Sequence, residues 1–167
     1  MRLIIVEDQI QVLKKIREML SSLSDTVEIK MIWCNTGDES MVIPKDETGW
    51  YSVCTEEELY DVCDNELEIR ANDHYLLDIT LFHESQMDKM FSDYISVKLA
   101  NHIMDNGIED IKIKFYTYPL GISPRDFAIE TKKWGKPIYR PKLDSDEYGE
   151  KEAKKIFVAE IKEYCNV

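Results

Sequence analysis

Short apolar runs alternate along the chain with stretches in which apolar residues recur every three or four positions, so strands and helices are expected in alternation. Leu3, Ile4, Ile5 and Val6 form the first run, a strand covered on both faces. Ile10, Leu13, Ile16, Leu20 and Leu23 then share one helical stripe. Val27, Ile29, Met31 and Trp33 alternate with Glu28 and Lys30, the pattern of a half-exposed second strand at a sheet edge. Met41-Val42-Ile43 and Trp50-Tyr51-Ser52-Val53 flank a turn-rich segment, Pro44 to Gly49, and predict a β-hairpin inserted at about residues 35–54. Trp33 and Trp50 would pack that hairpin on the sheet edge. Thr55-Glu56-Glu57-Glu58 is a capping box, opening a second helix whose core face is Leu59, Cys63 and Leu67.

His74 to Leu77 supplies a third strand ending at Asp78, and Met87, Phe91, Ile95, Leu99 and Ile103 mark a third helix closed by Gly107. Residues 111–116 make a fourth strand, in which Lys112 and Lys114 are unusual for a buried position. Ser123-Pro124 caps a fourth helix carrying Phe127, Thr131 and Trp134. Ile138-Tyr139 is a short fifth strand, and Ala153, Ile156, Phe157, Ile161 and Tyr164 line a final helix. This alternation predicts the α/β class: a three-layer α/β/α, flavodoxin-like domain with a five-stranded parallel sheet of order 2-1-3-4-5 and the inserted hairpin after strand two.

Composition narrows what such a domain does. With 167 residues the chain is long enough for one well-packed domain, spanning 1–167. The net charge of −12, with no Lys/Arg run longer than two residues, argues against binding nucleic acid or anionic lipid. No apolar run approaches the roughly 20 residues of a membrane span. Cys34, Cys54, Cys63 and Cys165 form no CxxC pair and follow no secretory signal, so reduced thiols in a cytoplasmic protein, monomeric or weakly dimeric, are expected.

Candidate chemistry lies at the carboxyl ends of strands one and three, the switch point of the expected sheet. Glu7 and Asp8 end the first strand and Asp78 ends the third. Two carboxylates about 4 Å apart repel by roughly 4 kcal/mol at an effective dielectric near 20, and a third adds to this, so a proton or a cation has to compensate. Oxygen ligands of this kind suit Mg2+. The competing account is that the acids only cap helix termini.

These residues and their spacing resemble the receiver domain of two-component response regulators over nearly the whole chain, the hairpin excepted. Leu3-Ile4-Ile5-Val6-Glu7-Asp8-Gln9 is similar to that family's acidic-pair strand, and Leu76-Leu77-Asp78-Ile79-Thr80 to its phosphoacceptor strand. Tyr116-Thr117 falls where the family keeps a Thr or Ser, and Arg140-Pro141 where it keeps Lys-Pro. The resemblance implies that Asp78 accepts a phosphoryl group, and that Asp8, Asp78 and the Thr80 carbonyl hold Mg2+ with Glu7 acting directly or through water. Thr117 would then bond the phosphoryl group and pull its loop inward. The implied partners are a histidine kinase or phosphotransfer protein and a downstream protein target, and the domain would be a phosphoacceptor that catalyses its own phosphorylation and dephosphorylation rather than an enzyme in the ordinary sense.

Several positions depart from that pattern. Arg140 stands in place of the family lysine, and its planar fork is not equivalent to an ammonium; Lys142, on the same strand face, is the alternative. Tyr118 is bulky where the family is small, and Phe82-His83-Glu84-Ser85-Gln86 replaces the usual Pro and Gly of the loop. A degenerate receiver serving as an interaction module is therefore the second hypothesis. A haloacid-dehalogenase-like phosphohydrolase ranks lower, because Asp78-Ile79-Thr80 lacks the second acid of an Asp-x-Asp motif. His83 reads as a surface loop histidine, with proton shuttling or metal binding as the alternative.

Overall fold

Six parallel strands form one sheet in the computed structural model, which describes residues 1–37, 48–84, 90–117, 134, 137–141 and 148–167. In chain order the elements are β1 (Arg2–Glu7), α1 (Ile10–Met19), β2 (Glu28–Cys34), β3 (Trp50–Val53), α2 (Glu56–Asp61), β4 (Asp73–Asp78), α3 (Ile95–Asp105), β5 (Ile113–Thr117), β6 (Ile138–Tyr139) and α4 (Tyr148–Cys165). The spatial order is β3-β2-β1-β4-β5-β6. All six residues of β1 are buried, and their alternation divides the interior. Leu3 and Ile5 join the core of α1 and α4; Ile4 and Val6 join that of α2 and α3. Burying one such aliphatic side chain stabilises the fold by about 1.5–3 kcal/mol, which explains why the central strand lacks a polar face.

The sheet corrects the expected five strands and the hairpin. Trp50 to Val53 pairs in parallel with β2, in the register Met31↔Trp50 to Cys34↔Val53, and so forms a sixth strand at the edge. Residues 41–43, the other half of the expected hairpin, lie outside the described residues. An alternating pattern beside turn residues specifies extended backbone but not the partner or its direction. Gly49, in the turn just before β3, has a φ of +87° that strains any other residue, and a Cβ there would stand a tight 3.1 Å from the Ile29 carbonyl oxygen. With β3 in place β2 is interior rather than an edge, and Ile32 and Cys34 are as buried as Met31.

Helix boundaries follow local chemistry. Thr55 accepts the Glu58 amide at 3.1 Å, as the capping box requires, while Glu58 reaches back to the Cys54 amide at 2.7 Å. Leu59, Cys63 and Leu67 are buried as expected, the helix ending in one π turn, Val62–Glu66. The third helix begins at Ile95 rather than near Met87: Tyr94 is extended, Phe91 sits in a separate turn, and Met87 lies outside the described residues. The fourth central strand begins at Ile113, because Ile111 is exposed in a preceding 3-10 turn. Lys112 and Lys114 are accommodated by donating to the Ala71 and Trp134 carbonyls, at 2.8 and 3.0 Å. The expected fourth helix lies outside the described residues except Trp134, whose ring packs edge-on against Phe115. In α4, Phe157, Ile161 and Cys165 face the core but Ile156 faces outward. All four cysteines are free, and Cys54 is exposed. Among the described residues no helix is long and apolar enough to cross a membrane.

At the amino-terminal end of the sheet, Arg2 forks onto Asp73 with bonds of 2.8 and 2.6 Å, and its remaining donors reach the Leu67 and Glu68 carbonyls. Asp73 also accepts the Arg70 amide at 2.9 Å. The pair ties β1 to β4 and is buried, so removing one partner strands a charge. Asp73→Ala is expected to destabilise the protein by about 3–5 kcal/mol, read as a lowered urea midpoint at unchanged slope, and Asp73→Ala with Arg2→Met to recover most of that loss.

Candidate metal centre

Parallel pairing places the acids together. With Val6 opposite Leu77, Glu7 and Asp78 fall at adjacent carboxyl ends of β1 and β4, and Asp8 follows at the turn into α1. One carboxylate oxygen from each of Glu7, Asp8 and Asp78 lies within 4.8 Å of the others, and all three residues are buried. Glu7, fully buried, shares the sheet face of Leu3 and Ile5. Its Oε1 accepts the Asp8 and Gln9 amides at 3.1 and 3.0 Å, and its Oε2 accepts the Tyr116 hydroxyl at 2.6 Å and Arg140 Nη1 at 3.4 Å. Asp78 Oδ1 accepts the Ile79 amide at 2.9 Å. Asp8 Oδ2 accepts the His83 amide at 2.8 Å, and the His83 Nδ1 stands 3.3 Å from the same oxygen. Asp8 Oδ1 is buried with no hydrogen-bond partner among the described residues.

Burial, and next the nearby Asp78, raise the Glu7 carboxyl well above its ordinary range against the opposing pull of Arg140. Burial, then Asp8, push Asp78 up to about 7, although Arg140 and the Ile79 amide favour its charged form. Burial beside Glu7 also holds the Tyr116 hydroxyl protonated. The cluster thus has too little positive charge in its surroundings. An all-oxygen donor set with an orphaned buried carboxylate oxygen fits a hard divalent cation, which would supply the missing charge.

Of the residues expected from sequence, Glu7, Asp8 and Asp78 converge and Arg140 joins them, its contact made to Glu7. Thr80 is half-buried, two residues beyond Asp78 in the bend leaving β4. The backbone of Thr117 pairs with Tyr139 at the end of β5; Lys142 and Tyr118 lie outside the described residues. One contributor escapes the sequence reading, while His83 reads there as a surface loop histidine with metal binding as the alternative. Tyr116 counted only as a strand residue, though a polar-tipped aromatic at the carboxyl end of a buried strand is a signal of this kind. His83 is exposed as expected of a loop residue, yet it reaches Asp8 because Phe82 and His83 both adopt left-handed φ, +55° and +51°. Trp33, placed by sequence against a hairpin, is buried and donates from Nε1 to the Asp8 carbonyl at 3.0 Å. A cavity of about 260 Å³, bounded by Gln9, Gln11, Trp33, Asn35, Thr36 and His83, opens on the Asp8 side of the cluster.

Comparison of the chain with family models, curated proteins and solved structures found no match.

Folding raises the proton affinity of Glu7 and Asp78, so between the unfolded carboxyl value near 4 and about 7 the native state binds more protons than the unfolded one. In metal-free protein this pair contributes a stability that falls as pH rises through that window. Asp78→Asn is therefore expected to flatten the pH dependence measured in a chelator and to stabilise the protein at pH 8 by about 1 kcal/mol or more, each pKa unit being worth about 1.4 kcal/mol. A variant that keeps the wild-type slope from pH 5 to 8 contradicts this electrostatic account.

Proposed function

We propose that the protein is a receiver-like phosphoacceptor in two-component signalling, in which Asp78 accepts a phosphoryl group in a Mg2+-dependent reaction and the modified domain signals by binding another protein. The observation that carries this reading is the convergence of Glu7, Asp8 and Asp78 at the carboxyl ends of neighbouring parallel strands. The sheet's six-strand order differs from the expected 2-1-3-4-5 by the added edge strand β3, and the remaining run β2-β1-β4-β5-β6 is compatible with a flavodoxin-like arrangement.

In this reading Asp78 attacks the phosphorus of a phosphohistidine on a kinase or phosphotransfer protein. An O–P bond forms, the N–P bond breaks, and the departing imidazole takes up a proton from solvent. Asp8, Asp78 and the Thr80 carbonyl would hold Mg2+, with Glu7 acting directly or through water, and the ion would supply positive charge to the phosphoryl oxygens. The Ile79 amide orients the Asp78 carboxylate, and the Tyr116 hydroxyl and the Asp8 and Gln9 amides fix Glu7. The cavity beside Asp8 opens that side of the cluster outward. Thr117, at the end of β5, is the residue to which the receiver resemblance assigns bonding of the transferred group.

A second reading, a receiver-like interaction module that is not phosphorylated, is favoured by two contacts: Arg140 and Tyr116 both close on Glu7, so the cation expected to assist the phosphoryl group is already engaged. Incubation with Mg2+ and a small phosphodonor distinguishes the two. A single phosphoryl adduct is expected in the intact mass of the wild type and none in Asp78→Asn. Wild-type protein that binds Mg2+ but stays unmodified moves the interaction module to the front.

A further inference from the structure

We propose that a second cavity, at the end of the sheet opposite the carboxylate cluster, binds a free α-amino acid with an apolar side chain, its carboxylate on Lys114 and its ammonium on Glu160 and Glu163. The cavity has a volume of about 490 Å³, within the range of small-molecule sites, and opens between α4 and the amino-terminal ends of β4, β5 and β6. It shares no residue with the carboxylate cluster, so the inference goes beyond the phosphoacceptor reading and stands apart from it. Its two walls carry opposite charge. Lys114 pairs in register with Leu76 of β4, on the sheet face that α4 covers, and Lys112 lies just before the strand. Glu160 and Glu163 line the cavity from α4. Lys112 donates to the Ala71 carbonyl and pairs with Glu109 at 3.3 Å. Lys114, half-buried, donates to the Trp134 carbonyl at 3.0 Å and has no carboxylate partner among the described residues. Neither Glu160 nor Glu163 pairs with a cation among the described residues.

This separation of charge selects the ligand. An ammonium has three donors, so Lys114 keeps two beyond the Trp134 carbonyl, and burial disfavours its charge with Asp110 alone opposing. An anionic group set there makes charge-assisted hydrogen bonds and offsets that cost. A bare anion would face Glu160 and Glu163 across the cavity, and a bare cation would face Lys112 and Lys114, so only a molecule bearing both charges suits both walls. The rest of the lining is apolar or uncharged. Pro137 and Ile138 are buried, and Ile111 stands at the rim 67% exposed. The Tyr164 ring is fixed by its hydroxyl, which donates to the Tyr75 carbonyl at 3.0 Å, and by the His74 ring set edge-on at 5.0 Å. Burial keeps that imidazole below its ordinary value and therefore neutral. The alternative account, a solvated groove between charged surface side chains, does not explain this apolar lining or the fixed aromatic wall.

The common L-amino acids would be screened against the full-length protein by saturation-transfer NMR. The best of them would then be titrated calorimetrically beside its two half-analogues, one lacking the amino group and one lacking the carboxylate. An apolar amino acid is expected to bind at about 1 mM or tighter, and each analogue about tenfold or more weakly. Lys114→Met and Glu160→Gln are each expected to weaken the amino acid by a similar factor. Lys114→Met should also narrow the gap between the amino acid and the analogue without a carboxylate, and Glu160→Gln the gap to the analogue without an amino group. Glu160 is a half-exposed side chain without a cation partner, so Glu160→Gln keeps its fold and decides the matter if Lys114→Met does not fold. No amino acid bound at about 1 mM or tighter, an analogue that binds as tightly as its parent, or wild-type affinity in Glu160→Gln overturns the inference.

Discussion

Three carboxylates held out of water at one end of a parallel sheet set the terms for everything around them. Each would be stable in solvent, and β1–β4 pairing removes that option for Glu7 and Asp78 as soon as Val6 meets Leu77. The surroundings respond with every donor the local backbone offers: the amides of Asp8 and Gln9 on Glu7, of Ile79 on Asp78, and of His83 on Asp8. Tyr116 and Arg140 add a hydroxyl and a cation. The compensation stops short, since Asp8 Oδ1 stays without a partner among the described residues and two of the carboxyls favour their protons.

The opposite end of the same two strands shows what full compensation looks like. Arg2 and Asp73 form a two-pronged pair, with the spare donors of Arg2 on backbone carbonyls and the spare acceptor of Asp73 on an amide. One end of the sheet is electrostatically closed and holds the fold together. The other is left short of positive charge, which suits it to hold a cation.

Much of this was legible in the sequence, for identifiable reasons. The run Leu3 to Val6 and the stripe from Ile10 to Leu23 have periods that admit only one reading, and acids directly after buried runs mark strand ends. Strand partners were less legible. The segment 50–53 reads as extended, but whether it folds back as a hairpin or crosses over to pair in parallel depends on contacts many residues away. Contacts made by side chains from distant elements were illegible for the same reason. Tyr116 meets Glu7 across 109 residues and His83 meets Asp8 across 75, and no local pattern encodes either.

The first strand of the chain is an inner strand of the sheet, flanked by β2 and β4. This has a kinetic meaning. Glu7 and Asp8 lie far along the chain from Asp78, Tyr116 and Arg140, which reach them only after long crossovers close, the slow kind of contact in folding. Until then the acids are ordinary solvated carboxylates that do not oppose collapse. Their mutual repulsion arises late, when hydrophobic burial already holds the strands in register, so any charge that offsets it is needed only once the fold has closed.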